Sequence, residues 1–128
     1  MITSASNKSI KNVQALLSKA KERKKQGVFV VEGPKMSFEA PCDWVSAVYM
    51  SESFFNDDRF KEEKKRFLDK TEIVSDSVFK SMSDTQTPQG VLAIVKMPRY
   101  EIDELFKGDK TELLVLESIQ DPGNLGTM

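Results

Sequence analysis

At 128 residues, with 39% hydrophobic and 30% charged residues, the chain is the size of one globular domain and leaves no room for two. It contains no His and a single Cys, Cys42, which excludes a Ser-His triad, a His-based metal site and an internal disulfide, and makes a reducing cytoplasm the expected setting. The net charge of −1 conceals a divide: residues 1–35 hold eight Lys/Arg against Glu22 and Glu32, or +6, leaving −7 for the rest. Such asymmetry points to a polyanion at one end, or to a basic helix that simply faces water. No apolar run approaches a membrane span, and Met1–Lys8 has no hydrophobic core of a secretion signal.

In chain order, the spacing predicts a helix from Asn7 to Lys24, capped by Ser6 or Asn7. Ile10, Val13, Leu16, Leu17 and Ala20 fall on one arc and Lys8, Lys11 and Lys19 on the other, so one face packs and the other meets solvent or phosphate. Arg23 continues the basic run, and Gly27 marks the stop. Val28–Glu32 reads as a strand, and Gly33-Pro34 opens a short helix over Lys35 to Ala40 that Pro41 ends. Taken alone, Glu32 and Lys35 also fit a strand-end ion pair.

Trp44–Met50 reads as a second strand, with Val45, Ala47 and Tyr49 on one face and Trp44, Ser46 and Val48 on the other. Residues 51–68 predict a charged amphipathic helix starting near Asn56-Asp57. Its face would hold Phe60, Phe67 and Leu68, with Phe54 and Phe55 in the preceding turn. A third strand over Glu72–Ser75 and a helix over Asp76–Met82 follow. The polar loop Ser83-Asp-Thr-Gln-Thr-Pro-Gln-Gly90 leads into a fourth strand, Val91–Val95. A short helix over Tyr100–Phe106, a hinge at Gly108-Asp109-Lys110 and a buried strand at Leu113–Leu116 complete the pattern, with Asp121-Pro122-Gly123-Asn124 as a turn before a helix opening. Strands alternating with helices predict an α/β chain, a three-layer α/β/α sandwich on a mixed sheet of about four strands.

Three blocks carry a family resemblance. Val115-Leu-Glu-Ser-Ile-Gln-Asp-Pro-Gly-Asn-Leu-Gly-Thr-Met128 resembles the first signature motif of the SpoU/TrmH family, SPOUT-class RNA ribose 2′-O-methyltransferases that use S-adenosylmethionine. Gln26–Met36 and Met82–Ala93 resemble two blocks of that family's substrate-binding domain. The resemblance implies a ribosomal-protein-like RNA-binding fold over 1–107, followed at 108–128 by a hinge and the first strand and loop of a truncated methyltransferase domain. It implies that Asn124 matches a catalytic Asn whose Arg partner would fall beyond Met128. S-adenosylmethionine would then serve the intact enzyme, with no cofactor or metal bound here. The implied partner is structured ribosomal or transfer RNA, and the parent would dimerise through the catalytic domain, leaving this chain a monomer. The expected RNA-facing residues are Lys8, Lys11, Lys19, Arg23, Glu32, Lys35, Asp84, Thr85, Gln86, Thr87 and Gln89, the loop's hydroxyls and amides suiting ribose and phosphate. A standalone ribosome-associated module and a protein-interaction domain docking through its basic helix are the alternatives.

Overall fold

The computed structural model describes residues 1–110 and 112–127, and the chain divides into two units, residues 1–98 and 99–128. In the first, α1 (Lys8–Ser18) starts where Asn7 Oδ1 accepts the Ser9 N–H at 2.8 Å. The helix expected to run on to Lys24 breaks at Lys19, whose φ of −124° and ψ of 107° are extended, and α2 (Ala20–Gln26) begins afresh. Neither Gly nor Pro marks the break. Side chains compensate it: Arg23 Nη1 donates to the Leu16 and Leu17 carbonyls at 2.8 and 3.1 Å, and Ser18 Oγ to the Gln14 carbonyl at 2.8 Å. Ala20, expected on the apolar arc, is exposed as a result. Gly27, at φ 65°, closes α2 in the left-handed conformation.

Four strands, β1 (Val28–Glu32), β2 (Val45–Ser51), β3 (Thr71–Val74) and β4 (Val91–Lys96), form one mixed sheet in the order β1-β4-β2-β3. β4 is antiparallel to β1 and β2, and β3 is parallel to β2. Hence β1, β2 and β3 point the same way, and their carboxyl ends lie along one edge beside the start of β4. Ile2 extends the far side of the sheet: its N–H donates to the Ile73 carbonyl at 2.8 Å, and its carbonyl accepts the Ser75 N–H at 3.0 Å.

Each face of the sheet has its own core. On one, Ile10, Val13 and Leu16 of α1 and Val78, Phe79 and Met82 of α6 (Asp76–Met82) meet Tyr49, Leu92 and Ile94. On the other, Phe38 of α3 (Pro34–Glu39) and Phe54 of α4 (Glu52–Asn56) join Phe67 over Val45, Val48, Met50, Val91, Ala93 and Val95. This is the expected α/β/α arrangement. The alternation predicted for β2 is wrong at its start, because the pairing with β4 shifts between Val45 and Ala47. The extra residue, exposed Ser46, puts Val45 with Val48 and Met50 rather than with Ala47 and Tyr49.

Residues 52–66 form two short helices instead of one. Ser51 Oγ accepts the Phe54 N–H at 3.2 Å and starts α4, so Phe54 and Phe55 are helical and not in a preceding turn; α5 is Lys61–Arg66. Lys64, 6% exposed, reaches back from α5 so that its Nζ donates to the carbonyls of Phe54, Phe55 and Asp57 at 2.5, 3.3 and 2.6 Å. It thereby satisfies the end of α4. Phe67 is fully buried but Leu68 is 57% exposed, since the helix stops before a face could hold both.

In the second unit, a 3-10 helix covers Ile102–Phe106 and α7 covers Pro122–Thr127. The strand expected at Leu113–Leu116 is not formed: these residues are exposed, Val115 at 87%, and no strand of the described residues pairs with them. A strand buried on both faces needs neighbours on both sides.

Candidate nucleic-acid interface

The carboxyl ends of β1 and β2 hold the 83–90 loop at its exit. Ser51 N–H donates to the Gly90 carbonyl at 2.8 Å and Gly33 N–H to the Val91 carbonyl at 2.9 Å. Gly90, at φ 81°, lies so close to α4 that a Cβ there would meet Phe54 Cβ at 2.7 Å; only glycine fits. The entry side is held by charge. Glu32 Oε1 accepts the Ser83 hydroxyl at 2.5 Å and the Thr85 hydroxyl at 2.8 Å, and Ser83 Oγ also accepts the Thr85 N–H at 3.2 Å. Glu32 therefore pairs with the loop and not with Lys35.

Between these anchors the loop offers polar groups to solvent. Among the described residues, the side chains of Asp84, Gln86, Thr87 and Gln89 make no hydrogen bond, although all four are exposed. Lys35 is exposed and without an ion pair among the described residues, and it shares with Gln89 the lining of a cleft of about 500 Å³ on the α3 side. Lys8 and Lys11 on α1 and Lys19 at its end are exposed and without an ion pair among the described residues, in the layer on the opposite face of the sheet from α3. Arg23 differs from them: its Nη1 is turned inward onto the α1 carbonyls.

A larger cleft of about 730 Å³ lies at the same edge, and sequence reasoning missed most of its wall. Pro34, Pro88 and Gln89 meet Ser53, Phe54, Asp57, Arg59, Phe60, Asp76 and Lys80 there. The Arg59 guanidinium grips Asp57 from Nε and Nη2 and lowers its pKa to about 2. Hydrogen bonds from the Ser53 hydroxyl and N–H, at 2.8 and 3.2 Å, hold the Asp76 carboxyl below its usual range. The one sequence signal was the aromatic density of residues 54–67.

Asn124 lies apart from this edge in sequence and in unit. It is exposed near the start of α7, where Asp121 Oδ1 accepts the Gly123 N–H at 2.7 Å.

Residues 7–93 match the family profile of the MRM3-like substrate binding domain. The chain belongs to this family. A member of known name, the 23S rRNA (guanosine(2553)-2′-O)-methyltransferase RlmP of Bacillus subtilis (strain 168), is 31% identical over 128 residues, covering 99% of this chain and 48% of the relative. An RNA 2′-O ribose methyltransferase crystal structure is 28% identical over 98% of this chain and 48% of its own, with a TM-score of 0.64. The SpoU methyltransferase AviRb from Streptomyces viridochromogenes, in complex with the cofactor AdoMet, shares the fold at a TM-score of 0.57 and 21% identity, over 78% of this chain and 37% of its own. The SpoU/TrmH resemblance read from the three sequence blocks is therefore upheld. This MRM3-like chain spans about half the length of the curated relatives it matches.

Proposed function

We propose that this MRM3-like domain recognises structured ribosomal or transfer RNA on behalf of an S-adenosylmethionine-dependent ribose 2′-O-methyltransferase. The observation that carries the reading is the 83–90 loop. It is fixed at both ends, yet presents Gln86, Thr87 and Gln89 with hydrogen-bonding groups unused among the described residues, and Gln89 shares a cleft with the exposed cation of Lys35. A preformed loop of amides and hydroxyls is suited to ribose and phosphate oxygens. Lys8, Lys11 and Lys19 supply sequence-independent attraction along α1, and the setting is a cytoplasmic one.

In this reading residues 1–107 form the RNA-binding part and 108–128 lead toward the catalytic part, to which Asn124 belongs. We read S-adenosylmethionine as held by the whole enzyme and not by this chain: the two clefts described above are lined by residues between 34 and 90, and Asn124 is in the other unit. Cofactor, methyl transfer and dimerisation belong to the whole enzyme, and this chain by itself is monomeric and inactive. No metal enters the reading.

An RNA titration across salt tests it. With a few phosphates neutralised, log affinity should fall against log salt with a slope of roughly −2 to −4, at about −0.7 to −0.9 per contact. Lys11→Glu combined with Lys19→Glu should flatten the slope and weaken all RNAs alike. Undiminished binding by that double variant at low salt would favour a protein-docking role for the basic helix.

A further inference from the structure

The larger cleft holds a feature that RNA attraction through lysines leaves unexplained. Phe60 sits at its rim with φ 58° and ψ 34°, the left-handed region that a bulky side chain ordinarily avoids. Strain of this kind gathers at ligand clamps. The ring packs beside Phe38 and Phe54, with centroids at 5.7 and 6.0 Å, yet stays 37% exposed. The backbone is thus held in an uncommon state, and an aromatic surface is left open at the mouth of a cleft.

The rest of the wall has the groups that one nucleotide needs. Pro34 and Pro88 add apolar surface, and the Gln89 amide has two donors and an acceptor with no partner among the described residues. The acids are engaged, Asp57 by Arg59 and Asp76 by Ser53, whereas Lys80 is exposed and without an ion pair among the described residues. We propose that this cleft receives one unstacked base of an RNA loop. The base stacks on Phe60, its edge is hydrogen-bonded by Gln89, and Lys80 meets the adjoining phosphate. This deepens the RNA-recognition reading and rests on it. It also assigns the domain a preference for unpaired RNA, because a base within a duplex offers no free face.

Stacking is uncharged, so its contribution should be nearly independent of salt, unlike that of the lysines. The experiment titrates the 128-residue chain into an RNA hairpin carrying 2-aminopurine in its unpaired loop, and into a fully paired duplex of the same length, at low and high salt. The hairpin should bind more tightly and its fluorescence should be quenched. Phe60→Leu keeps an apolar side chain without a π-face; it should weaken the hairpin about tenfold or more, by the same factor at both salts, and abolish the quenching. Phe60→Trp should restore both. Hairpin affinity and quenching unchanged in Phe60→Leu would overturn base stacking and leave the RNA reading intact. Absence of binding to either RNA by the parent chain would overturn both. Thermal unfolding of each variant reports its fold. Should Phe60→Leu not fold, Gln89→Ala at its exposed position decides, and unchanged hairpin affinity there overturns the proposal.

Discussion

The Glu32 carboxylate accepts the Thr85 hydroxyl at 2.8 Å, joining the end of β1 to a loop 53 residues further along the chain. With the bond from Ser83, this makes Glu32 the internal anchor of the loop. The first prediction follows from the strength of charge-assisted bonds, about twice that of neutral ones. Glu32→Gln should loosen residues 83–87, speeding their amide exchange, while Val91–Val95 exchange as before. An unchanged loop would show that its backbone turns suffice without Glu32.

Arg23 separates stability from RNA attraction. Removing its bonds to Leu16 and Leu17 should cost about 1.5–3 kcal/mol, the range for a hydrogen bond with a charged donor. Arg23→Ala should therefore lower the denaturation midpoint and leave the salt slope of RNA binding as it was. A slope that flattens as much as in the Lys11→Glu, Lys19→Glu variant would place Arg23 on phosphate instead.

What the sequence revealed and what it hid divide along physical lines. Period-two and period-3.6 patterns located the four paired strands and the buried arc of α1 at Ile10, Val13 and Leu16, because burial selects residue type over many positions at once. The phenylalanine-rich core and the alignment of Val45 were not legible. The loop and its Glu-Gly-Pro neighbour were legible as turn chemistry plus resemblance. The break at Lys19 was not, since its compensation comes from a guanidinium four residues on and no breaker residue announces it. The bulge at Ser46 escaped for a similar reason: Ser46 looks like an ordinary outward position. The cleft wall combines Ser53, Asp57, Phe60 and Asp76 from three segments, a convergence that exists only after folding. The charge of Arg23 shows in the sequence, but the turn of its Nη1 onto the α1 carbonyls does not.

Lys64 is a buried cation whose hydrogen-bond partners among the described residues are the Phe54, Phe55 and Asp57 carbonyls, and desolvation lowers its pKa. Lys64→Met preserves most of the stem but strands the carbonyls at the end of α4. We expect a loss of about 2 kcal/mol, within the usual penalty for buried unsatisfied groups. Urea denaturation measures it, and a variant as stable as the parent would mean that water replaces the ammonium.

The acid limb of the stability curve has an assignable source. Asp57 and Asp76 have depressed folded-state pKa values, Asp57 at about 2 against an ordinary 3.8. A depressed carboxyl contributes stability that is present above its unfolded pKa and is lost as pH falls through the folded one. The loss should therefore run from about pH 4 down to about pH 2. Asp57→Asn with Asp76→Asn should flatten that limb by lowering stability in the neutral region, where the two carboxylates contribute, and leave stability near pH 2 nearly unchanged. An acid limb identical to the parent's would move the effect to other carboxylates.

The Leu113–Leu116 segment lies exposed without a strand partner. Its amides should exchange much faster than those of β4. Protection of Leu114 and Val115 equal to that of Val91–Val95 would contradict this.

The pairing of β2 on both of its sides acts as a lock on alignment. β2 lies between β4, which runs against it, and β3, which runs with it, so sliding β2 by one residue would break two ladders at once. The slide would also exchange the sides of Val48 and Tyr49, sending a phenol into the phenylalanine-rich core and a small aliphatic side chain into the space beneath α1. Deleting Ser46 would remove the bulge and leave Val45 opposite Val95, on the side it already occupies. The carboxyl edge inherits its geometry from this lock, since Ser51 receives the end of the loop only while Met50 stays opposite Val91.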